Sequence, residues 1–208
     1  KKVDLNKTIT NLQKMLDRLI IEEITIHKKL ADNLWTVKAD EGQIEQVITN
    51  LVVNARDAMS SGGGLTIRAR NVSFTDKNNY AIGKIEKGNY VCLEVEDTGK
   101  GIKEDIIDKI FDPFFTTKGR ADGTGLGLSV VHGIIKKNDG YIDVSNKENK
   151  GTVFKIYIPK VEAKKSDNTN QNVSGDIEEY RGNGETILVV EDDVDVLNSI
   201  EYILSSNE

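Results

Sequence analysis

Gly123-Thr124-Gly125-Leu126-Gly127-Leu128 opens a helical pattern that runs to Lys137, and two segments upstream of it decide how it is read. Asn50 and Asn54 lie four residues apart inside a longer helical pattern, and Asp97-Thr98-Gly99-Lys100-Gly101 closes a strand-like run. Each segment alone has an ordinary reading beside a functional one. Two mid-helix asparagines one turn apart form either a solvated polar face or neutral amide ligands suited to Mg2+ beside phosphates. Asp-Thr-Gly is good turn chemistry, or a carboxylate that accepts an adenine amino group while glycines admit the base. The 123–128 run is a glycine-rich loop before a capped helix, or a set of free helix N–H groups facing phosphate. Its spacing fails the dinucleotide fingerprint, because Leu128 stands where the third glycine belongs. It also lacks the Gly-Lys-Ser/Thr of a P-loop. Lys118 and Arg120 just before it either reach those phosphates or are simply solvated.

Outward from these segments, Leu5, Ile9, Leu12, Leu16, Leu19 and Ile20 predict one amphipathic helix over 4–21. Alternation predicts a strand over 24–30 and a short one over 35–39. The helix over 43–59 carries Ile44, Val47, Ile48, Leu51, Val52, Ala55 and Met59 on its apolar side. Its polar side carries Gln43, Gln46, Asn50, Asn54 and Asp57. Gly62-Gly63-Gly64 turns into a strand over 65–72, paired antiparallel with 91–97 across a polar loop at 77–89. A short helix over 104–110, an aperiodic stretch over 111–124, the helix 126–137 and a hairpin of 141–145 with 152–158 follow. Pro159 is expected to end that hairpin, and the domain is expected to cover 1–160. The predicted fold is α+β: a two-layer α/β sandwich with a mixed, mostly antiparallel sheet and helices on one face. Residues 161–184 have a linker composition. Over 185–208, an apolar strand running into Glu191-Asp192-Asp193 and a helical pattern reads as the first β-α unit of a second domain.

Net charge is −6 over 208 residues, so no broad basic surface points to nucleic acid or membrane. A polyanionic ligand would need local donors. The single cysteine, Cys92, forms no intramolecular disulfide, and neither a signal peptide nor a membrane-length apolar run is visible. A reducing, cytoplasmic compartment is the expectation. The chain starts without Met and stops soon after a strand-like run, as a piece of a longer protein would.

In this order the segments resemble the ATP-binding catalytic domain of sensor histidine kinases, in the superfamily shared with gyrase and the ninety-kilodalton heat-shock chaperones. Gln46-Val47-Ile48-Thr49-Asn50-Leu51-Val52-Val53-Asn54-Ala55-Arg56-Asp57-Ala58-Met59 resembles the N box. Asp97-Thr98-Gly99-Lys100-Gly101-Ile102 resembles the G1 box, Ile110-Phe111-Asp112-Pro113-Phe114-Phe115-Thr116-Thr117-Lys118 the F box, and 123–128 the G2 box. The resemblance implies a Bergerat-type fold that binds ATP and Mg2+. It makes Asn54 the metal ligand and places Asn50 and Asp57 in the same nucleotide site. Asp97 reads adenine, Gly99 and Gly101 pass beneath the base, and Ile102 and Phe114 belong to the nucleotide-binding set. A mobile lid spans 111–123, anchored by Phe114 and Phe115, with Lys118 at the phosphates. Gly123, Thr124, Gly125, Leu126, Gly127 and Leu128 shape the phosphate end.

The implied reaction is γ-phosphoryl transfer to a histidine, with Asn50 and Lys118 as catalytic positions. The ATPases of the superfamily carry Glu where this chain has Asn50, and an amide is no general base near neutral pH, so hydrolysis should be weak. His27 and His132 lack the His-Glu dipeptide and proline of the family's acceptor motif and are expected to be structural. The acceptor histidine is therefore expected on a dimerisation hairpin before residue 1, and this chain is expected to phosphorylate only in trans. Residues 185–208 resemble the start of a response-regulator receiver domain, which implies a hybrid kinase. Its implied partners are ATP, the hairpin and the receiver, and its parent is a homodimer, free or membrane-anchored. A non-catalytic ATP-sensing module and a gyrase-like ATPase are the alternatives.

Overall fold

The computed structural model describes residues 1–20, 23–75, 78–80, 83–118, 123–147 and 151–161. The receiver-like stretch, the linker beyond Val161 and Arg120 lie outside them. After β1 (Lys2–Val3), Asp4 caps α1 (Leu5–Asn11) by accepting the Asn6 and Lys7 N–H groups. The amphipathic stripe continues into α2 (Gln13–Leu19), but the expected single helix is broken at Leu12. Thr8 and Thr10 bond back to the carbonyls of Asp4 and Asn6, at 3.2 and 2.7 Å, which bends a helix. The stripe survives the break: Leu5, Ile9, Leu12 and Leu16 are all buried.

Next come β2 (Ile24–Leu30) and β3 (Val37–Lys38), then α3 (Glu41–Ala58), capped by Asp40 on the Gln43 N–H at 3.0 Å. Strand β4 (Gly63–Phe74) follows. The expected polar loop contains a small hairpin, β5 (Asn78–Tyr80) with β6 (Gly83–Ile85), which backbone pairing makes without apolar alternation. Strand β7 (Gly88–Asp97) leads to a 3-10 helix (Glu104–Lys109), α4 (Gly127–Lys137), β8 (Tyr141–Asn146) and β9 (Thr152–Pro159). Pro159 does not end the pairing, because Lys160 bridges to Val37, which also pairs with Val3.

The main sheet runs β2-β4-β7-β9-β8, with β2 and β4 parallel and every other pair antiparallel. On one face, register aligns Ile67 with Val95, Phe154 and Val144, and Ala69 with Leu93, Ile156 and Ile142. These residues share one core with Leu5, Ile9, Ile44, Ile48, Leu51, Ala55, Val131 and Ile135 of the helices. The fold is thus a two-layer α+β sandwich with helices on one face. The opposite face carries a rung of alternating charge, Arg68, Glu94, Lys155 and Asp143, and a cluster of Cys92, Tyr90, Tyr157 and Ile85. Strict alternation along β7 then decides the orientation that matters most. Val91, Leu93 and Val95 face the helices, so Asp97 does too.

Candidate functional site

Helix α3 is the spine of the site. Its apolar positions are buried against the sheet, while Asn50, Asn54 and Asp57 remain partly exposed on another face. Near its middle, the Asn50 side chain donates to the Gly127 carbonyl at 3.2 Å, which ties it to the start of α4. At its end, the Ala58 carbonyl accepts the Lys100 N–H at 3.1 Å. Gly99 lies so close that a Cβ there would sit 2.6 Å from the Ala58 oxygen. Asn54 therefore stands between the glycine run at 123–128 and the turn after Asp97, one helical turn from each contact.

Asp97 is 3% exposed. Its Oδ1 accepts two backbone N–H groups, from Gly99 at 2.7 Å and Thr152 at 3.3 Å. Burial pushes its carboxyl above the ordinary carboxylate value, and the Gly99 and Thr152 hydrogen bonds pull it part of the way back. A buried carboxylate committed through one oxygen to the backbone is rigidly oriented, and the other oxygen takes neither of these bonds.

The start of α4 differs from the starts of α1 and α3. Both of those carry an aspartate cap, whereas α4 has Leu126 at its N-cap position with no side-chain cap bond. Free N–H groups of the first turn, at the positive end of the helix dipole, favour an anion. Gly125 holds this start against the preceding loop: it has φ 67, and its carbonyl accepts the Phe114 N–H at 3.0 Å. A Cβ on Gly125 would lie 2.4 Å from the Phe114 carbonyl carbon, so no other residue fits.

Phe114 is not an anchor of this loop. It has φ 66 and is 74% exposed, because its backbone pairing with Gly125 turns the side chain outward. Phe115 packs on the core together with Phe111 and Ile110. Phe111 also lies against His132, ring centroids 5.4 Å apart. Burial holds the His132 imidazole below its ordinary value, and nearby Lys136 adds to this. Lys118 reaches Asp57 in an ion pair, and Arg56 binds the other Asp57 oxygen at 2.9 Å. Desolvation raises the Asp57 carboxyl, but the Lys118 and Arg56 hydrogen bonds outweigh it and leave the pKa lowered.

Of the expected residues, Gly127, Gly99 and Lys118 are brought against α3, by Asn50, Ala58 and Asp57 in turn, whereas Phe114 is turned away from it. Two contributors were missed by the sequence reading. Thr152 supports Asp97, and Asn146 holds the Ile102 backbone at 2.8 Å; both sit on the last hairpin, and neither belongs to a recognisable box. A separate groove, between α2 and β2, is lined by Leu16, Ile20, Ile24 and Ile26 and contains none of the expected site residues.

Residues 39–162 match the family of histidine kinase-, DNA gyrase B-, and HSP90-like ATPases. The chain is 47% identical over 166 residues to the sensor kinase CckA of Brucella abortus, covering 79% of this chain and 18% of that protein. It is 37% identical over 158 residues to the sensor histidine kinase ZraS of Escherichia coli, covering 76% and 30%. The chain thus spans less than a third of either curated relative. Among solved structures, the catalytic domain of histidine kinase ThkA aligns with a TM-score of 0.58 at 32% identity, over 77% of this chain and 95% of that one. The mycobacterial sensor histidine kinase MprB shares the fold, with a TM-score of 0.62 at 20% identity over 78% of this chain and 100% of that one.

Proposed function

Starting from the fact that this chain belongs to the histidine kinase-, DNA gyrase B-, and HSP90-like ATPase family, we propose that it is the ATP-binding catalytic part of a hybrid sensor histidine kinase. The observation that carries the ATP-binding part of this reading is Asp97. It is a buried, backbone-oriented carboxylate on the helix side of the sheet, beside a turn whose glycine packs directly on α3. Such a group accepts a hydrogen bond from an adenine amino group and rejects a base that presents a carbonyl there. The triphosphate then extends along α3 toward the uncapped start of α4, where free N–H groups meet its oxygens. Lys118 exchanges Asp57 for a phosphate oxygen.

The donor set fits a hard cation that shares its shell with phosphates: Asn54 offers a neutral amide oxygen, and none of the described residues form a cluster of three acidic, His or Cys ligands. When bound, Mg2+ would neutralise charge on the transferring phosphoryl group. Asn50 separates kinase from hydrolase. Its amide is already committed as a donor to the Gly127 carbonyl, and it has no basic lone pair with which to activate water. The phosphoryl group is left for a histidine on a dimerisation hairpin, with residues 185–208 beginning a receiver domain that follows. The test is transfer of labelled phosphate from ATP to that hairpin, supplied separately with this chain. Labelled hairpin is the expected result. ATP binding without any transfer would reduce the role to nucleotide sensing, and rapid ATP hydrolysis without an acceptor would refute the kinase reading.

A further inference from the structure

The segment from Asp97 to Ile102 closes β7, and its far end is held by the β8–β9 hairpin. Asn146, the last residue of β8, accepts the Ile102 N–H through Oδ1 at 2.8 Å, and its Nδ2 donates to the Ile102 carbonyl. One side-chain amide therefore satisfies both backbone groups of one residue, as a neighbouring strand would. Thr152, the partner of Asn146 in the strand register, donates its N–H to Asp97 at 3.3 Å. A single rung of the hairpin thus grips both ends of the segment. Between those ends the Lys100 N–H is fixed on the Ala58 carbonyl, and Gly101 has φ 74. A Cβ on Gly101 would lie 3.1 Å from the Asn146 Oδ1, so the amide and this backbone are in close contact. Asn146 is itself exposed, so neither packing nor burial accounts for an amide at this position.

We propose that Asn146 is a positioning residue for the nucleotide base. By pinning Ile102 it sets the height of the 99–102 backbone under the adenine, and it governs affinity for the adenosine end and not for the phosphates. This role rests on the reading of the site as an ATP pocket. Asn146→Ala and Asn146→Asp are made in the 208-residue chain. Calorimetry then measures the binding of ATP and of inorganic tripolyphosphate, a probe without a base. The alanine variant should bind ATP about tenfold more weakly, with tripolyphosphate binding unchanged. The aspartate variant keeps an acceptor for the Ile102 N–H but sets a carboxylate oxygen against the Ile102 carbonyl, so its loss should be at least as large as that of the alanine variant. Equal ATP affinity in the unaltered chain and the alanine variant, or a parallel loss for both ligands, overturns the proposal. An unaltered chain that binds no ATP overturns the pocket assignment itself, which is a separate result. If the alanine variant does not fold, hydrogen exchange at the Ile102 amide of the unaltered chain decides. Protection of at least about tenfold supports the pin, and exchange at the rate of a free loop refutes it.

Discussion

Replacing Asp97 with asparagine separates two roles of one carboxylate. Oδ1 holds the Gly99 and Thr152 N–H groups, and an asparagine oxygen can keep both bonds in the same geometry. The other oxygen becomes an amino group, which cannot accept from adenine and confronts its amino group with another donor. A hydrogen bond to a charged group contributes about 1.5–3 kcal/mol, so ATP affinity should fall about 10- to 100-fold. Stability should move the other way. Burial raises the carboxyl pKa, so the folded state holds this proton more tightly than the unfolded chain does. Ionised Asp97 therefore costs stability above its folded pKa, and the cost is relieved as the pH falls through it. A neutral asparagine side chain carries no such cost, so the variant should melt no lower than the unaltered chain at pH ~7.

Titration calorimetry with ATP and thermal melts, each followed from neutral to mildly acid pH, measure both effects. The unaltered chain should lose ATP affinity on acidification at a higher pH than an ordinary aspartate, with its value of 3.8, would allow. The variant binds a ligand that protonates identically, so the difference between the two pH profiles isolates Asp97. An Asp97→Asn chain that binds ATP within about threefold of the original, or melts well below it at neutral pH, would refute the argument.

Asn54→Ala should weaken ATP binding about tenfold in Mg2+ and much less in EDTA, because only the metal complex uses the amide oxygen; equal losses in both, measured by calorimetry, would remove Asn54 from the cation site. Asn50→Glu supplies a base where the donor to Gly127 now stands, and phosphate release from ATP should rise at least about tenfold. Gly125→Ala forces a Cβ to within 2.4 Å of the Phe114 backbone at a positive φ. It should lower stability by about 1–3 kcal/mol in a denaturant titration, whereas Gly133→Ala, which meets nothing within 4 Å, should leave stability unchanged or raise it.

Much of the two-layer fold was legible along the chain, because its signals are short-range. The stripe of α3, the alternation of β7 and the glycine turn into β4 each follow from a few neighbouring residues. Where the reading departed from the structure, competing local bonds or pure backbone pairing were responsible. Thr8 and Thr10 bent the first helix by bonding back to carbonyls, and β5 pairs with β6 with no hydrophobic pattern to announce it. Phe114 shows a different limit. Its apolar side chain suggested an anchor, but a positive φ, imposed by pairing with Gly125 eleven positions away, turns it to solvent.

By itself, then, the sequence determined the layers, the helix face on which Asn50, Asn54 and Asp57 stand together, and the face of β7 on which Asp97 must lie. Helical and strand periods are enough for that. Only the tertiary structure decided that Asn50 donates to Gly127, that Lys118 rests on Asp57, and that Asn146 and Thr152 brace the turn after Asp97. These partners lie 44 to 77 residues apart. No local pattern records such contacts, because they depend on the register in which distant strands and helices come to rest.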